Sequence, residues 1–140
     1  MKWIYGKQDF KTLSRGQENC YLLTNGLGGF SSLTTTGSVT RNDHALLMAC
    51  TKAPNHRYNL IHRMKEEIRI GEEKQILSAQ EFADGTKEEG YQHLSAFSFE
   101  DTPVWRWETK GVRIRKEIGM TQQENTVAVV YEMKNQSLFD

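Results

Sequence analysis

Leu22-Leu23-Thr24-Asn25-Gly26-Leu27-Gly28-Gly29-Phe30 runs into the hydroxyl-rich tract Ser31-Ser32-Leu33-Thr34-Thr35-Thr36. Further on, Thr40-Arg41-Asn42-Asp43-His44 leads into the apolar run Ala45-Leu46-Leu47-Met48-Ala49. Three glycines in four positions demand a sharply shaped backbone, because glycine alone takes positive φ without steric cost. The sequel decides the fold. A dinucleotide cradle needs a helix after its glycines, and a P-loop needs Gly-Lys-Ser/Thr. Residues 30–36 are β-prone instead and carry no helix start. The glycines therefore read as a backbone corner that lets the chain change sheets or approach another domain.

The rest of the chain has the same texture. Residues 20–23, 31–39, 45–52 and 59–70 are rich in Leu, Ile, Val and Thr, with glycines or polar clusters between them, which predicts strands. Pro54-Asn55-His56 reads as a turn. Gly71-Glu72-Glu73-Lys74 joins Glu67-Ile68-Arg69-Ile70 to Gln75-Ile76-Leu77 as a hairpin. Val112-Arg113-Ile114-Arg115 and Thr126-Val127-Ala128-Val129-Val130-Tyr131 each suit a pleated surface with one buried face. Trp105 and Trp107 share a face of Pro103-Val104-Trp105-Arg106-Trp107-Glu108, with Arg106 turned the other way, and Lys110-Gly111 is a tight reversal after them. Leu60, Ile61, Met64 and Ile68 are also spaced for a helix, but the turn at Gly71 favours strand. About eight to ten short strands, with turns every ten residues or so, predict an all-β antiparallel sandwich. The last strand, residues 127–133, is apolar enough to need further strands over it, so the chain reads as a fragment of a longer product.

Composition narrows the class. The 140 residues fit one domain, residues 1–140. Eighteen basic side chains balance eighteen acidic ones, so no whole-molecule field favours nucleic acid or an anionic membrane. No apolar run approaches the ~20 residues of a membrane span. The start of the chain lacks the apolar core of a secretory signal, and a cytoplasmic location is expected. Cys20 and Cys50 have no CxxC partner and read as small buried hydrophobes. His44, His56, His62 and His93 lack HxH or HExxH spacing, so neither a metal nor another cofactor is expected.

The order of several short motifs carries a family resemblance. Leu23-Thr24-Asn25-Gly26-Leu27-Gly28-Gly29-Phe30, Thr40-Arg41-Asn42-Asp43-His44-Ala45-Leu46-Leu47 and Lys65-Glu66-Glu67 come first. Gly90-Tyr91-Gln92-His93-Leu94, Pro103-Val104-Trp105 and Glu124-Asn125-Thr126-Val127 follow. The series resembles the N-terminal domain of glycogen debranching enzymes of the bacterial and archaeal type. Asn42-Asp43 stands where that family has an Arg-Tyr pair, and Ala45 where it has a glycine. The resemblance implies a supersandwich similar to the galactose-mutarotase-like β-domain, with this chain as a truncated part of one. It implies a partner, an (α/α)6 catalytic domain of the same polypeptide, that hydrolyses α-1,6-glucosidic branches of glycogen or related α-glucan. The catalytic carboxylates would then belong to that barrel, and this chain would brace it and line its cleft.

Residue chemistry agrees that hydrolysis is not built into the chain. Two facing carboxylates are needed, ~5 Å apart for retention or ~6.5–9.5 Å for inversion. Glu66 and Glu67 are neighbours and point to opposite faces of a strand, while Lys87-Glu88-Glu89 sits in a polar run. Asn25, Arg41 and His44 are the candidate contacts to the barrel or to a glucose hydroxyl, for which the planar fork of Arg41 is well suited. The competing reading gives Arg41 and His44 local structural roles. Trp105 and Trp107 either stack on sugar rings or fill the sandwich core, and burial statistics favour the core. With Tyr91 they also motivate an alternative, a free-standing α-glucan-binding module without hydrolytic activity.

Overall fold

The computed structural model describes residues 2–52 and 55–136. β1 (Trp3–Gly6) leads into a 3-10 turn at Lys7–Phe10 and a single helical turn, α1 (Leu13–Gly16). Thr12 caps α1, its hydroxyl accepting from the Arg15 N–H at 3.1 Å. β2 (Leu23–Thr24), β3 (Phe30–Ser32), β4 (Ala45–Lys52) and β5 (His56–Ile61) then form a sheet in chain order. Two ribbons follow: β6 (Glu67–Ile70) with β7 (Glu73–Ile76), and β8 (Ala79–Glu81) with β9 (Lys87–Glu89). β10 (Leu94–Phe99), β11 (Pro103–Thr109), β12 (Val112–Met120) and β13 (Val127–Asn135) make a meander that β1 completes, in the order β1-β10-β11-β12-β13. Every strand pairing is antiparallel.

Period-two alternation builds the larger sheet. In β11, Trp105, Trp107 and Thr109 are buried while Arg106 and Glu108 are exposed. In β12 the inward set is Val112, Ile114, Lys116 and Ile118. Lys110 and Gly111 connect the two strands with φ of 47° and 80°. Positive φ at both positions matches the right-handed twist of a tight hairpin. The inward face meets Tyr21, Leu33 and Leu46 from the smaller sheet and its approaches, which makes the pair of sheets a sandwich. Trp105 is the centre of this core. Tyr21 meets its ring edge-on at 5.4 Å and Phe97 at 5.1 Å, and its indole N–H donates to the Thr35 carbonyl at 2.9 Å.

The all-β antiparallel sandwich expected from the sequence is the fold observed, and residues 60–70 hold no helix. Several boundaries differ. The described residues contain thirteen strands, because the 59–70 run breaks at residues 62–66, where the Glu66 carbonyl accepts from the Leu77 and Ser78 N–H groups instead of a strand neighbour. Residues 33–38, all buried but Gly37, leave the sheet apart from an isolated antiparallel bridge between Thr34 and Cys20. The hydroxyls of Thr34, Thr36 and Ser38 bond one another, and the Ser38 N–H donates to Thr34 Oγ1 at 3.0 Å. Such local bonds compete with a ladder. The glycine corner does not change sheets: Thr24 pairs with Phe30 and Leu23 with Ser31, so residues 25–29 are a hairpin loop inside one sheet. Pro54 of the expected turn lies outside the described residues; Asn55 is in a turn and His56 opens β5. Cys20 and Cys50 are free thiols. β13 is an edge strand, with Val130, Tyr131 and Met133 exposed.

Candidate functional site

Asn25 organises the glycine corner. Its side chain is fully buried, and both ends of the amide are used. Oδ1 accepts from the N–H groups of Leu27 at 2.9 Å and Gly29 at 3.1 Å. Nδ2 donates to the Glu124 carbonyl and to Asn125 Oδ1, both at 2.9 Å. The loop's tight path needs φ of 82° at Gly26 and 91° at Gly28. Gly29 serves differently: a Cβ there would lie 2.7 Å from Asn25 Nδ2 and 2.9 Å from the Met48 carbonyl. Arg57 closes the other side, donating from Nε to the Gly28 carbonyl at 2.9 Å with its guanidinium 5.9 Å from the Phe30 ring. The corner is thus held rigid from three directions.

The 40–44 loop is built round His44. The ring is buried, with 2% of its surface exposed. Nδ1 accepts from the Thr40 N–H at 3.0 Å, which puts the ring proton on Nε2, and Nε2 is buried without a partner among the described residues. Burial, and then the nearby Arg41 cation, hold the imidazole below its ordinary pKa, against a smaller opposing pull from Asp43. Gln80 fixes the loop's entry by a pair of hydrogen bonds to the Val39 backbone, accepting from N–H and donating to C=O at 2.8 Å each.

Arg41 stands out from this frame. It is exposed, and its side chain has neither ion pair nor hydrogen bond among the described residues. It lines two clefts at once. One, of about 560 Å³, opens onto Gly26, Gly28, Gly29 and Phe30, with Asp43 beside Arg41. The other, of about 610 Å³, opens onto His62, Gln80, Glu81 and Phe82. A free guanidinium between two clefts can make bidentate bonds to hydroxyl, carbonyl or carboxylate oxygens.

Asn25, Arg41 and His44 therefore share one corner of the molecule in three roles: clasp, free cation and loop anchor. Trp105 and Trp107 are elsewhere, 0% and 2% exposed in the core, and offer a sugar no face in this chain. Sequence reasoning gave no role to Asn125, although the Glu124-Asn125-Thr126-Val127 motif contains it. It also missed a buried charge cluster. Lys116 lies 4.8 Å from the Trp105 ring centroid and donates to Glu66 Oε1 at 3.1 Å, while the Tyr131 hydroxyl donates to Glu66 Oε2. Arg63 pairs with Glu88, which also accepts from Ser78 Oγ at 3.1 Å. Burial pushes the Lys116 amine below its usual range, and the Glu66 carboxylate opposes that. The signal was present: Lys116 falls in step with Val112, Ile114 and Ile118 on the apolar side of β12.

Among the described residues no cluster of His, Cys, Asp and Glu could hold a metal ion, and no helix is long and apolar enough to cross a membrane. A family model described as glycogen debranching enzyme N terminal matches residues 19–139. No curated protein and no solved structure matches the chain.

Proposed function

The chain belongs to the glycogen debranching enzyme N-terminal family, and from that premise we propose that it is a non-catalytic β-sandwich domain of a cytoplasmic debranching enzyme. In this reading residues 1–140 brace an (α/α)6 catalytic domain of the same polypeptide. That domain hydrolyses α-1,6-glucosidic branches of glycogen or a related α-glucan. The surface turned toward it is the corner formed by residues 25–29 and 40–44. The observation that carries the proposal is Arg41, an unpaired cation held on a rigid loop between two clefts. A rigid, buried support beneath an unengaged donor is what a contact to another domain or to a sugar requires.

The free-standing glucan-binding module is less well supported, since Trp105 and Trp107 supply no stacking surface. In the intact enzyme, Arg41→Ala is expected to lower turnover of branched α-glucan about tenfold or more, because a misplaced cleft wall costs rate. Its unfolding midpoint should stay unchanged. Unchanged turnover would overturn the assignment of Arg41. Chemical-shift changes of residues 25–44 on adding maltoheptaose to this chain alone would favour direct glucan contact over bracing.

A further inference from the structure

The cleft of about 610 Å³ on one side of Arg41 is walled by three segments that the fold holds still. Residues 39–42 are tied to Gln80 through the Val39 backbone. The tip of the β8–β9 hairpin closes on itself. There the Phe82 N–H donates to the Thr86 carbonyl and the Gly85 N–H to the Phe82 carbonyl, both at 2.9 Å. Asp84 Oδ1 accepts from the Thr86 N–H at 3.0 Å. On the third side His62 accepts at Nδ1 from the Asn59 amide at 3.0 Å, which puts its ring proton on Nε2. A volume of this size is that of a small-molecule site, roughly 300–1,000 Å³.

The lining side chains specify the ligand. Phe82 is a large apolar ring, 40% exposed, in a wall made mostly of polar side chains. The Arg63 guanidinium, held by its ion pair with Glu88, lies over that ring at 5.7 Å from the centroid. One face of the ring is therefore taken and the other is left. Arg41 and Glu81 line the same cleft with opposite charges, and neither has an ion-pair partner among the described residues. The two charges balance, so an anionic ligand would meet the Glu81 carboxylate as well as the Arg41 cation. A hydroxyl group suits both, since it accepts from a guanidinium and donates to a carboxylate. A neutral molecule with hydroxyls at its rim and an apolar ring face is a sugar.

We propose that this cleft binds a neutral saccharide, with one pyranose ring stacked on the free face of Phe82. Its hydroxyls accept from Arg41 and from the His62 Nε2–H, and donate to Glu81. Phe82 thus supplies the stacking face that Trp105 and Trp107 do not. That the saccharide is a segment of α-glucan rests on the function proposed above; the site itself stands on the geometry of the cleft.

Hydrogen exchange of the intact polypeptide, read at peptides covering residues 39–42 and 80–86, tests this with maltotriose as the probe. Binding at a catalytic barrel is read at other peptides. The expected result is saturable protection of both segments by maltotriose and none by inorganic phosphate. Phe82→Ala should raise the dissociation constant read there about tenfold, and Phe82→Tyr should keep it near the wild-type value. Protection by phosphate in place of saccharide overturns the proposal, as does a Phe82→Ala variant that binds as tightly as wild type. Protection by no saccharide overturns it too, even where Arg41→Ala lowers turnover, a result that leaves the brace standing alone. Protection by cellotriose and not by maltotriose keeps the saccharide site and overturns the α-glucan assignment beneath it.

Discussion

Asn25 and Asn125 are a hundred residues apart in the chain and share a 2.9 Å hydrogen bond between their side-chain amides. That bond ties the hairpin loop at residues 25–29 to the turn between β12 and β13, and so fastens the smaller sheet to the larger one. A second bond in the same clasp, from the Gln123 N–H to the Asn25 carbonyl at 2.7 Å, makes the junction backbone as well as side chain.

Asn25→Ala strands the buried N–H of Gly29 and the part-buried N–H of Leu27 together with the Asn125 amide. The expected loss is about 2–4 kcal/mol of unfolding free energy, read from the urea midpoint at unchanged slope. Asn25→Asp should do no better, because a carboxylate cannot donate to the Glu124 carbonyl. Wild-type stability in either variant would remove the clasp from the account.

Removing one partner of the Lys116–Glu66 pair leaves a buried charge alone. Lys116→Met is expected to cost about 3–5 kcal/mol, and Lys116→Met with Glu66→Gln clearly less than the sum of the two single changes. A double-mutant cycle in urea measures the coupling. Additive losses would mean that the two charges do not feel each other.

His44 makes stability depend on pH. Its folded pKa is depressed, so the native state binds its proton later than the unfolded chain does. Stability is complete above the unfolded value near 6.5 and declines as pH falls through and below it. Protonation also removes the lone pair that accepts from the Thr40 N–H. His44→Asn, whose Oδ1 can accept in place of Nδ1, should reduce the slope of unfolding free energy against pH just below 6.5. It should not abolish it, because His93 is shifted in the same direction by burial and by Lys7. An unchanged slope in the variant would sink the assignment.

Two glycines should behave oppositely when given a methyl group. At Gly90 a Cβ would overlap the Leu77 carbonyl, backbone that cannot swing away, and Gly90→Ala is expected to unfold the chain at room temperature. At Gly119 nothing lies within 4 Å and φ is ordinary, so Gly119→Ala should be neutral or stabilising by about 0.5 kcal/mol. Thermal melts of the two variants side by side decide it.

The sequence carried the fold wherever local chemistry alone dictates the backbone. β4 is found at the residues its apolar run marks, and both hairpins turn where a residue with positive φ was placed, at Gly71 and at Lys110-Gly111. It carried less where distant parts of the chain decide. The run through residues 59–70 gives no local hint that Glu66 will be turned inward by Lys116, fifty residues later. Residues 33–38 have the composition of a strand, yet their hydroxyls find one another more readily than a neighbouring ladder. Arg41 and His44 were singled out together, but only the packing separates them into a free donor and a buried anchor.

The antiparallel partner of β1 is β10, with Trp3 opposite Phe99. During synthesis the first strand therefore waits for nearly a hundred residues to emerge, and the glycine corner waits longer still, for Asn125. At ~5–20 residues per second that delay is on the order of ten seconds, during which the apolar β4 has only part of its cover. Contacts so remote in sequence fold slowly. The nascent chain therefore leaves apolar surface exposed until β12 and β13 have been made.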